Sequence, residues 1–203
     1  MKVKLSQGEL KRIRDALRQY ERYLPTLQLK KQQLQLEIVH LQNAMKDVTK
    51  ALSEKKGSAR EWAGLLNEYP TIVEWLTPVR VVTSRKNVAG VDLPLFERTE
   101  FGLAEYDLFL TPPWVDRALV ELREIVSLLQ EERVVGEGIA ILSQELRITT
   151  QRVNLFEKVK IPEAKEAIRL IKIHLGDQMT NAVGRSKIAK KKIEESNAQA
   201  AAE

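Results

Sequence analysis

Apolar residues recur along the first third of the chain in an unbroken alternation of three- and four-residue steps: Leu10, Ile13, Leu17, Tyr20, Leu24, Leu27, Lys31, Leu34, Ile38, Leu41, Met45, Val48 and Leu52. Twelve of these thirteen positions are apolar, Lys31 being the exception. A seven-residue repeat sustained this long keeps one seam facing a partner helix and implies left-handed supercoiling. Pro25 lies inside the pattern but off the seam, so it removes one helical hydrogen bond without interrupting the register. After the polar stretch SEKKGS, Trp62, Leu66, Tyr69, Val73 and Leu76 restore an apolar face. The pattern predicts a long helix over residues 1–76, bent near Gly57 and again at Pro70.

Residues 77–113 have no helical period. Val79, Val81 and Val82, then Val91, Leu93, Leu95 and Phe96, predict two short strands joined around residues 85–90, a β-hairpin with connecting segments. Pro112 and Pro113 sit where a helix can begin. A second long helix is expected over 114–195. Ala118, Leu122, Ile125 and Leu129 open its apolar face, and Leu142, Leu146, Thr149, Val153 and Phe156 continue it. From Phe156 the steps through Lys160, Ala164, Ile168, Ile171 and Leu175 run 4,4,4,3,4, a slip that locally unwinds a left-handed coil and contains Pro162. The helix is expected to stay continuous at that proline, bent and paired with the first helix. Residues 196–203 are expected to form a disordered tail. Two helices with apolar stripes, separated by a hairpin, should fold back on each other. The fold class is therefore mainly α: a long antiparallel two-helix coiled coil with a β-hairpin in the middle.

Composition agrees with long helices. Aromatics are 5% and charged residues 30% of the chain, and cysteine is absent, which excludes disulfides and thiolate metal sites. No apolar run reaches the roughly 20 residues needed to span a bilayer, and the N-terminus lacks the apolar core of a signal peptide. A cytoplasmic protein is expected. The net charge of +5 is unevenly placed, with basic ends and an acidic middle. Basic ends suit nucleic acid, anionic lipid or an acidic protein surface.

Candidate chemistry is sparse. His40 and His174 have no second imidazole or carboxylate cluster at ligand spacing and read as helix-surface or packed positions. Gly136 and Gly138 form a GEG with no third glycine or preceding strand, better read as loosened helix than as a nucleotide loop. No nucleophile with a base can be proposed, so neither enzymatic activity nor a cofactor is expected. The run Arg185, Lys187, Lys190, Lys191 and Lys192 suits the negative pole of a helix. Nucleic-acid binding ranks below that reading, because Trp62, Tyr69, Trp75 and Trp114 cluster far from the basic ends, where they are expected to pack against the hairpin region.

KNVAGVDLPLFE (86–97) and RVNLFEKVKIP (152–162), followed by the lysine-rich end, resemble the D-subunit family of the V/A-type rotary ATPases, in the same order along most of the chain. YLPTLQLKKQQLQ (23–35) is similar to bacterial members. The chain departs from the family in lacking the Pro-Thr-Arg lead-in, and GDQMTNAVGRS replaces an acidic-aromatic stretch before the final lysines. The resemblance implies a central-stalk rotor shaft transmitting torque between a hexamer of catalytic A and B subunits and a membrane ion-translocating ring. Implied partners are A and B, the small F subunit of the stalk and the C-type funnel subunit on the ring, with no nucleic acid and no direct membrane insertion. Lys2, Lys4, Lys11, Arg12 and Arg14, with Arg185, Lys187, Lys190, Lys191 and Lys192, would face the hexamer. Asn87, Val88, Ala89, Gly90, Val91 and Pro94 would lie in a hairpin that influences coupling. Arg152, Asn154 and Pro162 would set the shape of the shaft. The competing reading is a free-standing antiparallel coiled-coil adaptor or scaffold, which has no reason to carry both motif strings.

Overall fold

The computed structural model describes residues 4–107 and 109–200, with side chains through Glu195. The first helix, α1 (Gln7–Arg60), begins at a serine cap: Ser6 Oγ accepts from the Glu9 backbone N–H at 3.3 Å, and Glu9 is the acidic residue of its first turn. All thirteen seam positions of α1 are buried or half-buried. The helix then stops at Arg60, short of the 76 that the apolar pattern suggests. Trp62, Leu66, Tyr69, Val73 and Leu76 are carried instead on or beside two 3-10 segments, Ala63–Asn67 and Pro70–Leu76. Pro70 accounts for the break between them, since a residue preceding proline is pushed out of the α region and Tyr69 adopts φ −138°, ψ 72°.

Strands β1 (Pro78–Val88) and β2 (Val91–Phe101) pair antiparallel. They are longer, and their connection shorter, than the sequence suggests. Val88 pairs with Val91 across a two-residue turn, Ala89 (φ 51°) and Gly90 (φ 79°), the two positive φ values that a type I′ hairpin requires. Register shifts leave Val79 and Glu97 without partners, increasing the local twist. Helix α2 (Trp114–Leu155) passes through a π-helical turn, Phe156–Lys160, into α3 (Ile161–Ala200). The expected tail thus continues α3 through Ala200, and 201–203 lie outside the described residues.

The chain divides into two compact units. One comprises Leu29–Thr150. Within it α1 and α2 pair antiparallel: Lys30 meets Glu145, Leu41 lies against Gly138, Met45 against Gly136, Thr49 meets Glu132 and Lys55 meets Glu124. It has two apolar centres. Leu34, Leu93 and Leu142 join the hairpin tip to both helices, with Ile38, Leu41, Val88 and Val91 around them. Ile72, Val115, Ala118 and Leu119 form the other, packed by Trp62, Tyr69, Trp75, Tyr106 and Trp114. The other unit comprises Met1–Gln28 and Gln151–Glu203. Among its described residues Leu10, Val153, Ala164, Ala167 and Ile171 are buried, with Tyr20 stacked on Phe156 at 5.3 Å and Lys165 paired with Glu21 at 3.4 Å.

Candidate functional site

Three surfaces collect the residues singled out by sequence. The first is the hairpin tip. Asn87 closes the turn with its own side chain: Oδ1 accepts from the Gly90 N–H at 3.1 Å, and Nδ2 donates to Asp92 Oδ1 at 2.6 Å. Val88, Ala89, Val91 and Pro94 are half-buried and Gly90 is exposed. Pro94 sits opposite Arg85, tolerated because a two-stranded sheet has only edge strands. The residue that seats the tip on the helices is Leu93, 3% exposed, and Lys86 adds an ion pair to Glu37 at 2.7 Å. The sequence reads Leu93 only as an apolar position of the hairpin and gives Lys86 no separate role. The alternation of Val91, Leu93 and Leu95 is the signal that could have exposed Leu93.

The opposite end of the hairpin is held by Arg123, which the sequence did not flag either. Its guanidinium donates to the Gly102 carbonyl at 2.7 Å and to the Trp75 carbonyl at 3.1 and 3.2 Å. It also lies over the Phe101 ring at 5.1 Å. One α2 side chain thereby ties the 3-10 segment to the strand exit. Nearby, Trp62 Nε1 donates to Glu121 at 3.1 Å, and the neighbouring Asp116 carboxylate raises the pKa of the Tyr106 hydroxyl above its ordinary value of 10.0.

The second surface is basic. Lys4, Lys11, Arg12 and Arg14 are exposed, and Arg12 pairs with Glu9 at 2.6 Å; Lys2 lies outside the described residues. On α3 every residue from 176 to 195 is exposed, including Arg185, Lys187, Lys190, Lys191 and Lys192. Lys190 and Lys191 approach Glu194 and Glu195 at 3.7 Å. Met179, Val183, Ile188 and Ile193 are exposed among them. Leu10 is the first buried residue of α1, and no described residue covers this part of α3.

The third surface surrounds the π-helical turn. Arg152, Asn154 and Pro162 are all exposed. A π turn carries one residue more than an α turn, which accommodates the four-residue steps from Phe156. It also ends two residues before Pro162 and contains Lys158, whose carbonyl lies four residues back from a proline that lacks a donor. The backbone stays helical on both sides, with Leu155 at φ −62° and Ile161 at φ −67°, so the chain does not reverse there.

Gly136 and Gly138 mark close approach rather than loosened helix. A Cβ at Gly136 would stand 3.3 Å from Met45 Cε, and one at Gly138 3.4 Å from Leu41 Cδ1. His40 is exposed, and His174 lies 3.0 Å from Gln178 Nε2. Among the described residues no cluster of three His, Cys, Asp or Glu side chains is placed to hold a metal, and no helix is long and apolar enough to cross a membrane.

Comparison with known proteins accounts for nearly the whole chain. The sequence profile of the ATP synthase D subunit matches residues 9–191. The V-type ATP synthase D subunit of Borreliella burgdorferi is 42% identical over 196 residues, covering 97% of each chain. That of Chlamydia abortus is 35% identical over 196 residues, covering 95% of this chain and 94% of its own. That of Chlamydia trachomatis is 34% identical over 197 residues, covering 95% and 97%. With its motif strings, paired helices and hairpin spanned by one profile, the chain belongs to the ATP synthase D-subunit family.

Proposed function

We propose that this chain is the rotor shaft of a V-type rotary ATPase, a non-catalytic component of the central stalk that transmits torque between a catalytic A/B hexamer and a membrane ion-translocating ring. The observation that carries this reading is the end-to-end match to V-type ATP synthase D-subunit relatives, 97% of both chains in the Borreliella case. A free-standing adaptor would share heptads and basic ends without sharing that length. The antiparallel pairing of α1 with α2 supports the mechanical role, because torque needs a stiff element rather than a set of reacting groups.

In this reading the exposed basic residues of α3, with Lys4, Lys11, Arg12 and Arg14 at the start of the chain, face the hexamer. Solvated charges suit a surface that slides, since they need not be stripped of water at each step. The hairpin, with the small F subunit, lies toward the funnel-shaped C-type subunit, and residues 87–94 influence coupling there. The π turn and Pro162, flanked by Arg152 and Asn154, set how the helix winds beneath the head. The chain would work in the cytoplasm at the membrane periphery, attached through other subunits.

Co-expression with A and B tests the assignment: recovery of one shaft per three A and three B is expected, whereas an adaptor would elute without them. Changing Arg185, Lys187, Lys190, Lys191 and Lys192 together to alanine should weaken assembly or ATP hydrolysis in a salt-dependent way. Wild-type turnover at every ionic strength would remove that role from the basic segment.

A further inference from the structure

Arg123 is a half-buried cation that pairs with no carboxylate among the described residues; its donors go to backbone carbonyls instead. The two carbonyls flank the hairpin. Trp75 lies just before β1, which opens at Pro78, and Gly102 directly follows β2, which closes at Phe101. Pro78 and Phe101 are the terminal pair of the ladder. Nη2 alone donates to both carbonyls, at 3.1 Å and 2.7 Å, and the guanidinium stands over the Phe101 ring. One planar group therefore fixes the separation of the chain entering the hairpin and the chain leaving it.

The same hairpin is held near its tip, where Leu93 packs in one cluster with Leu142 of α2 and Leu34 of α1. The two anchors are matched in length. From Leu142 back to Arg123 the helix spans about 28 Å, and extended chain from Leu93 to Gly102 covers about 30 Å. Strand β2 is thus pinned at both ends along one stretch of α2, as a rib on the helix pair. The segments on either side, 61–77 and 102–113, contain no α-helix among their described residues. A twist entering through them is therefore not carried by continuous helical hydrogen bonding. We infer that Arg123 is a positioning residue for torque transfer, passing load from both connecting segments into α2 and the hairpin together. A lysine would keep the charge but lose the fork, so the position requires geometry rather than charge. Without the fork the hairpin base yields, while the apolar centre of Ile72, Val115 and Leu119 still holds the fold.

The inference rests on the shaft reading above, and its test uses complete V-type complexes in sealed vesicles. These carry the wild-type chain, Arg123→Lys, Arg123→Gln or Trp62→Phe. Trp62→Phe is the control, removing a hydrogen bond to Glu121 in the same apolar centre while leaving both carbonyl contacts of Arg123 in place. ATP hydrolysis and the ATP-driven membrane potential are measured on the same vesicles. Both Arg123 variants should hydrolyse ATP as wild type does, while the potential developed per ATP falls severalfold. Trp62→Phe should keep the wild-type ratio. A wild-type ratio in Arg123→Gln, rescue by Arg123→Lys, or an equal loss in Trp62→Phe would overturn the inference and leave the shaft reading intact. Isolated chains give a second measurement that does not depend on assembly. In both Arg123 variants hydrogen exchange should rise about tenfold at 79–82 and 99–102, through local opening of the hairpin base, and stay unchanged at 88–93. No rise there, or a uniform rise along the chain, would likewise overturn the inference. If the wild-type chain failed to recover A and B, the shaft reading itself would fall.

Discussion

Leu93 shows how one side chain positions a candidate functional element. It is the only buried residue of the two strands, and it packs in one cluster with Leu34 and Leu142. Leu93→Ala should cost about 2–5 kcal/mol, read from urea unfolding, and should raise hydrogen exchange in the hairpin before the helices. At the turn, Gly90 has φ 79° with open space around it, so backbone strain alone decides its substitutions, and Gly90→Ala should cost about 1 kcal/mol. Tyr106 adds a pH signature. Its folded pKa is raised above 10.0 by Asp116; protons are therefore held more tightly in the folded state. The associated stability is complete below pH 10.0 and is lost as pH rises through the folded value. Tyr106→Phe should flatten the alkaline limb of the melting-temperature curve, measured by circular dichroism from neutral to alkaline pH. An unchanged limb would mean that the hydroxyl contributes nothing.

At the scale of elements, the helix pair in the unit Leu29–Thr150 brings small residues of α2 against the leucine seam. Gly136 and Gly138 let α2 approach Met45 and Leu41, and a cavity of about 50 Å³ lies against Leu41, Leu93, Val135 and Gly138. Gly138→Ala should therefore be neutral or stabilising by up to about 1 kcal/mol, since it gains helix propensity and meets only ordinary contact. Gly138→Leu should destabilise by about 1–3 kcal/mol through overpacking. Denaturation midpoints separate the two. The heptad pattern made the seam legible, and all thirteen positions face inward, Lys31 included. The glycines were harder to read, because a missing side chain leaves the same trace in sequence whether it loosens a helix or admits a neighbour.

For the whole molecule, charge does two different things. The helix pair is cross-linked by Lys30–Glu145 and Lys55–Glu124, while the basic residues of α3 from Arg185 onward stand in solvent. Salt should affect them differently. The Lys30–Glu145 pair, with side chains 29% and 26% exposed, should show a coupling of up to about 1 kcal/mol in a double-mutant cycle, with modest salt dependence. On the proposed shaft reading, assembly through the exposed lysines should instead weaken steeply as ionic strength rises, measured by recovery of A and B. The five basic residues of the candidate site on α3 were legible from sequence because a charge run on a helix needs no partner to be seen. Leu93 and Arg123 were not, because each matters through groups brought to it from elsewhere.

By itself the sequence determined the two long helices, the seam of α1, the hairpin and the disturbance around Pro162. These follow from periodicity and backbone chemistry, which act over a few residues. Tertiary structure decided where α1 ends, that the disturbance is a π turn, which residue seats the hairpin, and which charges pair. Those outcomes depend on groups far apart in the chain, such as Lys30 and Glu145, separated by 115 positions. No local pattern records such a pairing. Residues 29–43 of α1 join both kinds of information: the sequence supplies leucine, valine and amides there, and the fold half-buries Lys30 and Lys31 and leaves Leu29, Leu36 and Val39 exposed.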